Sequence, residues 1–217
     1  MFLIVTAGEP PSKGLLSRKA SQAECIIAAD RGAEYCLDAG VIPHLVVGDM
    51  DSLDEGVLPR LDASGAVIKR FSTDKDQTDT EIALIEALQR GARVVEILGA
   101  LGDRFDHALA NVHLLRMALR HGIQARITSD TQQIFLVDAE TRLERCRGCT
   151  VSFLPLTEKV QGITLRGFVY ELDDACMEIG KPFGVSNRVK SAKAWVMVKE
   201  GVLLAVLATG GGDENLG

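Results

Sequence analysis

The sequence predicts an α/β protein: a doubly wound, mostly parallel sheet domain followed by a small all-β sandwich domain. Three observations carry this expectation. Short apolar runs alternate with helical patterns through the first two-thirds of the chain. Glycines stand just past the helical patterns, where a chain commonly leaves a helix. After about residue 140 the helical period is lost, and short β-like runs separated by Gly-containing turns replace it.

The predicted strands of the first part are 2–5, 25–29, 45–47, 67–68 and 94–98, each too short for a helix and flanked by polar residues or glycine. Helices are predicted at 33–39, stopped by Gly40, at 79–90, stopped by Gly91, and at 105–121, stopped by Gly122. The second carries a capping box, Thr78-x-x-Glu81. The third carries an apolar stripe of Ala108, Val112, Leu115 and Leu119. Two further strands follow at 125–128 and 134–137, and β-like runs at 150–154, 195–198 and 202–207. The expected division is 1–139 for the α/β domain, 140–209 for the sandwich and 210–217 for a disordered tail.

With a formal net charge of −6 over 217 residues, the chain lacks the basic balance of a nucleic-acid binder, so nucleic acid is not the expected partner. No run reaches the roughly 18–20 apolar residues of a membrane span, and no membrane partner is expected. The first six residues read as a strand and not a signal peptide. Five cysteines without such a signal suit a reducing compartment, so the expected location is cytoplasmic. Cys146-Arg147-Gly148-Cys149 is a single CxxC, lacks the second pair of a structural zinc site, and reads as two thiols near a turn.

In an open α/β sheet, ligands bind beyond the carboxyl ends of the strands. Four predicted strand ends deliver polar residues there: Asp30-Arg31-Gly32, then Gly48-Asp49-Met50-Asp51-Ser52, then Asp74-Lys75-Asp76-Gln77-Thr78-Asp79, then Gly102-Asp103-Arg104-Phe105-Asp106-His107. Asp49 and Asp51 are two apart, and in an extended segment they point to one side, where their repulsion calls for a cation. Oxygen-only ligands suit magnesium or manganese, which take one or two carboxylates plus substrate phosphates. Read alone, Asp-x-Asp-Ser is equally a turn with capping side chains. Asp76 and Asp79 add a second acidic loop at a helix start, a place where backbone N–H groups attract phosphate. Capping explains Thr78 and Glu81 but not Asp74 and Asp76. The reading is one site, with Asp49, Asp51, Asp76 and Asp79 holding a divalent metal and through it a nucleotide's phosphates. Arg104, His107 and Asn111 share a helix face at i, i+3, i+7, with Arg104 suited to phosphate or base. A single histidine at such a place is more often a hydrogen-bonded structural residue. Neither a P-loop nor a G-x-G-x-x-G is present, so phosphates must be held by metal, helix ends and side chains.

These motifs, in this order, together with Gly184-Val185-Ser186-Asn187, resemble thiamine pyrophosphokinase over nearly the whole chain. The resemblance implies a homodimer of an α/β nucleotide domain and a small β-sandwich. It implies transfer of pyrophosphate from ATP to thiamine, giving thiamine diphosphate and AMP. It places Asp49, Asp51 and Asp79 at magnesium and the phosphates, and Asp30, Thr78, Arg104, Asp106, His107 and Asn111 around ATP. Gln77, Ser186 and Asn187 fall to thiamine. Asp103 stands where the family often has a second glycine, and Ala7-Gly8-Glu9-Pro10 replaces a frequent glycine pair. Trp195 reads as a ring-stacking platform or as a core residue. The alternatives are a related pyrophosphokinase acting on another alcohol such as a hydroxymethyl pterin, a non-catalytic nucleotide or thiamine sensor, and a metal-dependent phosphatase.

Overall fold

The computed structural model describes residues 1–51, 53–54, 56–72, 76–181 and 183–209. Ser52, Asp74, Lys75 and the segment 210–217, which the sequence assigns to acidic loops and a tail, lie outside the described residues. The chain divides into two compact units, Met1–Asp130 and a second that begins at Thr131.

The first unit runs β1 (Phe2–Val5), α1 (Lys13–Ala20), β2 (Cys25–Ala29), α2 (Gly32–Asp38), β3 (Leu45–Gly48), α3 (Val57–Ala63), β4 (Val67–Arg70), α4 (Asp79–Gln89), β5 (Val94–Leu98), α5 (Phe105–Arg120) and β6 (Gln124–Thr128). Its strands are all parallel and lie in the order β6-β5-β1-β2-β3-β4. Strand β1 sits where the winding reverses, so helices cover both faces. Leu3, Val5, Ile26, Ala28, Val46 and Leu98 pack with Leu15 and Leu16 of α1, Ala33 and Cys36 of α2, and Val57 and Leu61 of α3. Helix α4 packs against β1, β2 and β3, and α5 against β6 and α4. The helix ends follow local chemistry. The Ser12 and Thr78 hydroxyls cap α1 and α4, each accepting at 3.2 Å from the amide three residues on. Gly40, Gly91 and Gly122 take φ values of +71°, +80° and +72° just past α2, α4 and α5. On α5 the buried stripe is Asn111, Val112, Leu115 and Ala118, while Ala108 and Leu119 are only half-buried.

The second unit is all β: β7 (Gln132–Val137), β8 (Thr141–Leu143), β9 (Thr150–Pro155), β10 (Lys159–Arg166), β11 (Leu172–Glu178), β12 (Asn187–Arg188), β13 (Ala194–Met197) and β14 (Leu203–Ala208). The antiparallel orders are β12-β9-β14-β7 and β11-β10-β13-β8. The inward faces of both sheets meet in one core containing Val151, Phe153, Val160, Leu165, Phe168, Val196, Leu203 and Ala205. Phe153 and Phe168 meet edge-on, with ring centroids 5.7 Å apart. This is the predicted sandwich. The division falls at residue 130 and not near 140, because β7 pairs with β14 along its whole length, Gln132↔Ala208 to Val137↔Leu203. Trp195 is half-buried, on the strand face opposite the buried Ala194 and Val196, with Arg142 and Arg166 beside it in register.

Candidate active site

Because the strands of the first unit are parallel, the loops after β1 to β6 all open on one edge of its sheet. At the switch point, where chain direction along the sheet reverses, the loops after β1 and β5 are laced together. The amides of Thr6, Gly8 and Glu9 donate to the carbonyls of Leu98, Gly99 and Leu101 at 2.9, 2.8 and 2.5 Å. The Thr6 hydroxyl adds a bond to Gly99 O at 2.6 Å. The side chain of Ser12 closes the far side on Asp130, whose Oδ2 also accepts from the Ser12 amide at 2.8 Å.

Next to this lattice stand the acidic loops. Asp30 has a left-handed backbone, φ +53°, and its amide donates to Val47 O at 2.9 Å. Gly48, at the end of β3 beside Asp30, has φ +144°, a backbone conformation that strains any residue with a side chain, so glycine is set here by conformation and not by lack of room. Asp49 and Asp51 do not lie on an extended strand as expected. Met50 between them is buried and left-handed, φ +68°, and the Asp51 amide donates to Asp49 Oδ1 at 2.9 Å. The segment is an Asx turn: one oxygen of Asp49 shapes the loop, while Oδ2 has no hydrogen bond among the described residues. Asp79 opens α4 and is half-buried, and Asp76, Gln77 and Thr78 before it are exposed.

Among the described residues no three carboxylate, imidazole or thiol groups lie close enough to hold a metal ion by themselves. The structure therefore does not join Asp79 to Asp49 and Asp51 as a ready-made cage. The donor set still fits magnesium, which binds through one or two carboxylates and completes its shell with water and substrate phosphate.

After β5, Arg104 and Asp106 form an exposed pair, Nη2 to Oδ2 at 2.6 Å, with His107 Nε2 3.9 Å from the same oxygen. The hydrogen bond from Arg104 holds the Asp106 carboxyl below its ordinary range. A lowered carboxylate value means the pair is intact at neutral pH and is lost only as pH falls below the ordinary carboxylate range. Asn111, expected beside Arg104 and His107, is buried instead, and its Nδ2 donates to Ala100 O at 2.8 Å. It fastens the loop after β5 from beneath. In the second unit, Ser186 is exposed with φ +60°, and its amide donates to Ser152 Oγ at 3.0 Å. Asn187 is buried. Its Oδ1 accepts from the amides of Tyr170 and Arg188 at 3.1 and 2.8 Å, and its Nδ2 donates to Tyr170 O at 2.7 Å. That amide clamps a loop and does not face solvent.

Two family models match this chain: "Thiamin pyrophosphokinase, catalytic domain" over residues 16–127, and "Thiamin pyrophosphokinase, vitamin B1 binding domain" over residues 137–203. A thiamine pyrophosphokinase from Bacillus subtilis is 30% identical over 185 residues, covering 84% of this chain and 86% of the relative. The chain belongs to the thiamine pyrophosphokinase family. Each matched segment of this family falls inside one compact unit. The crystal structure of the Bacillus subtilis thiamine pyrophosphokinase has a TM-score of 0.85 at 27% identity, covering 96% of this chain and 98% of its own. That of the Geobacillus thermodenitrificans thiamin pyrophosphokinase has a TM-score of 0.84 at 28% identity, covering 99% of each chain. A rice thiamine pyrophosphokinase is 30% identical over 159 residues, but this chain spans only 60% of its length.

Two supports of this thiamine pyrophosphokinase-family edge escape a reading of the sequence. Glu34, in the first turn of α2, accepts from the Asp54 amide through Oε1 at 2.9 Å, and so ties down the loop that carries Asp49 and Asp51. Tyr35 donates its hydroxyl to Gly8 O at 2.9 Å. In sequence, Glu34 is an ordinary first-turn acid, and its partner is 20 residues away. Glu34→Ala is expected to lower stability by about 1–2 kcal/mol, the worth of a charge-assisted bond, and Glu34→Gln by less, since it keeps the acceptor. Thermal midpoints of the two variants measured side by side test this; equal midpoints would remove Glu34 from the support of the loop.

Proposed function

We propose that this chain transfers the pyrophosphoryl group of ATP to the hydroxyethyl oxygen of thiamine, forming thiamine diphosphate and AMP. The observation that carries this is the pair of family models, catalytic then vitamin B1 binding, matched in order to an α/β unit and a β-sandwich. The nucleotide side belongs to the α/β unit, Met1–Asp130. Thiamine and the pairing of two copies into a homodimer belong to the sandwich unit that begins at Thr131. The working location is the cytoplasm.

The reaction is an attack on the β-phosphorus of ATP, in which positioning and electrostatic stabilisation dominate. Asp49 and Asp51, with Asp79 at the start of α4, are the carboxylates that would hold magnesium. Bound there, that ion would neutralise charge on phosphoryl oxygens. Asp30, Thr78, Arg104, Asp106 and His107 surround the nucleotide, with Arg104 as the cation and Asp106 fixing its guanidinium. Asn111 acts from beneath by setting the Ala100 carbonyl and hence the loop. Gln77 and Ser186 face thiamine. Asn187 contributes by holding the backbone N–H and C=O of Tyr170.

The deciding experiment incubates the chain with ATP, magnesium and thiamine and identifies products by mass, with a hydroxymethyl pterin as competitor. Thiamine diphosphate and AMP are expected. Orthophosphate release, a pterin product or binding without turnover would each overturn the proposal. Removing divalent metal by chelation is expected to stop turnover and restoring magnesium to recover it. Asn187→Ala is expected to raise the KM for thiamine about tenfold, while orphaning the Tyr170 backbone groups costs about 1–3 kcal/mol. An unchanged KM in a folded variant would detach the clamp from thiamine recognition.

A further inference from the structure

We propose that Cys146 and Cys149 form a dithiol site that closes to an intramolecular disulfide by exchange with an anionic low-molecular-weight disulfide. The two residues bound a β-turn: the Cys149 amide donates to Cys146 O at 3.0 Å, and Gly148 in its third position has φ +87°. Such a turn brings its first and last Cα within about 7 Å. A disulfide spans roughly 4.4–6.8 Å between Cα atoms, so the backbone is already close to bridging distance.

The surroundings give the two sulfurs different parts. Cys149 is buried in the sandwich core, and its backbone is pinned: Val189 N donates to its carbonyl at 2.9 Å, and Gly148 N donates to Val189 O at 2.8 Å. Cys146 is half-buried, with its Sγ 3.0 Å from Glu144 O. Cys146 is therefore the sulfur an incoming reagent meets, and Cys149 resolves the adduct. The Cys146 thiolate attacks one sulfur of the small disulfide and releases one thiol. The Cys149 thiolate then attacks Cys146 Sγ and releases the second. Two protein thiols lose two electrons and two protons, and the reagent gains them as two thiols. Arg145, Arg147, Arg188 and Lys190 are exposed around the turn, and none makes an ion pair among the described residues. Positive charge here draws an anionic reagent to the turn. The remaining cysteines lie on β2, α2 and β11, and burial pushes the Cys36 thiol up to about 12. Burial, and then Cys149 beside it, also raise the Cys146 thiol above its ordinary value, so exchange accelerates as pH rises.

The test incubates the intact chain with oxidised glutathione, quenches with acid, alkylates under denaturing conditions and maps peptides by mass. A bridge joining Cys146 to Cys149, reversed by a reducing thiol, is expected, with the less exposed Cys25 and Cys36 alkylated and the exposed Cys176 carrying at most a glutathione adduct. Cys149→Ser should retain glutathione on Cys146. At low salt, oxidised glutathione should react faster than cystamine, its cationic counterpart. Alkylation of both residues in the wild-type chain, a stable glutathione adduct in place of the bridge, or the reverse order of reagents would overturn the assignment. None of these readings depends on pyrophosphoryl transfer.

Discussion

Asp49→Asn is expected to fold as the parent does and to lose at least about a hundredfold in AMP release, some 3 kcal/mol of transition-state stabilisation. The two parts of this expectation rest on different atoms. Asp49 Oδ1 accepts the Asp51 amide and thereby holds Met50 in its left-handed conformation. Asparagine keeps an Oδ1 in that place and is at home in Asx turns, so the loop survives. What it removes is the charge. Pyrophosphoryl transfer concentrates negative charge on phosphate oxygens, and this chain, at −6, carries no excess of cations to meet it. Beside Arg104, the proposed metal held by carboxylates is the remaining source. Asp51→Asn perturbs the fold still less, since the side chain of Asp51 is exposed and only its amide serves the turn. Circular dichroism should match the parent for both variants while AMP release collapses. A folded Asp49→Asn with near-normal turnover would sink the metal assignment, whereas Asp49→Ala, which also breaks the turn, could not separate the two roles.

That turn marks where reading the sequence stops short. The polar residues at the strand ends are visible because parallel strands are short apolar runs and their carboxyl ends follow at once. The runs 2–5, 25–29 and 94–98 are β1, β2 and β5 residue for residue. Nothing local announces that Met50 adopts φ +68°, since a non-glycine residue seldom does so. It is imposed by burial of the Met50 side chain and by one carboxylate bond. The internal bonds of Asn111 and Asn187 escape the sequence for a related reason. A polar residue beside a predicted site looks like a ligand contact. Yet an amide carries both donor and acceptor, and so suits an internal peptide, as Asn187 does for Tyr170 seventeen residues away.

The missing elements have equally specific causes. Helix α1 spans only eight residues, contains Gly14, and buries just Leu15 and Leu16, so no apolar period forms. Helix α3 is seven residues long and includes Pro59. Strand β10 would alternate cleanly, but its register slips between Gln161 and Ile163, at Gly162 with φ +68°. That bulge breaks the period-two pattern. Strand β11 pairs with it despite Asp173 and Asp174, because these residues are exposed and charge-paired to Arg166 and Lys199. Burial in the sandwich, not local propensity, decides such strands.

Gly32→Ala is expected to be a strongly disruptive single-methyl change at the acidic edge, and Gly14→Ala a harmless one, although both glycines are helical. A Cβ at Gly32 would stand 2.0 Å from Val5 O and 2.6 Å from Val5 C, both backbone atoms of β1. Neither can rotate away, so α2 must withdraw from the sheet. Overpacking of this kind costs about 1–3 kcal/mol or more. The damage also travels, because α2 carries both supports described above: Glu34 on the Asp54 amide and Tyr35 on the Gly8 carbonyl. Withdrawal of α2 slackens the loops after β3 and β1 together, so turnover should fall even below the melting transition. At Gly14 an added Cβ meets nothing within 4 Å. Alanine there removes glycine's entropic cost within α1 and is expected to stabilise by about 0.5–1 kcal/mol. The two thermal midpoints should move in opposite directions. If Gly32→Ala melts with the parent and retains its turnover, then α2 does not set the acidic loops by direct contact with β1, and the role given to Glu34 and Tyr35 fails with it.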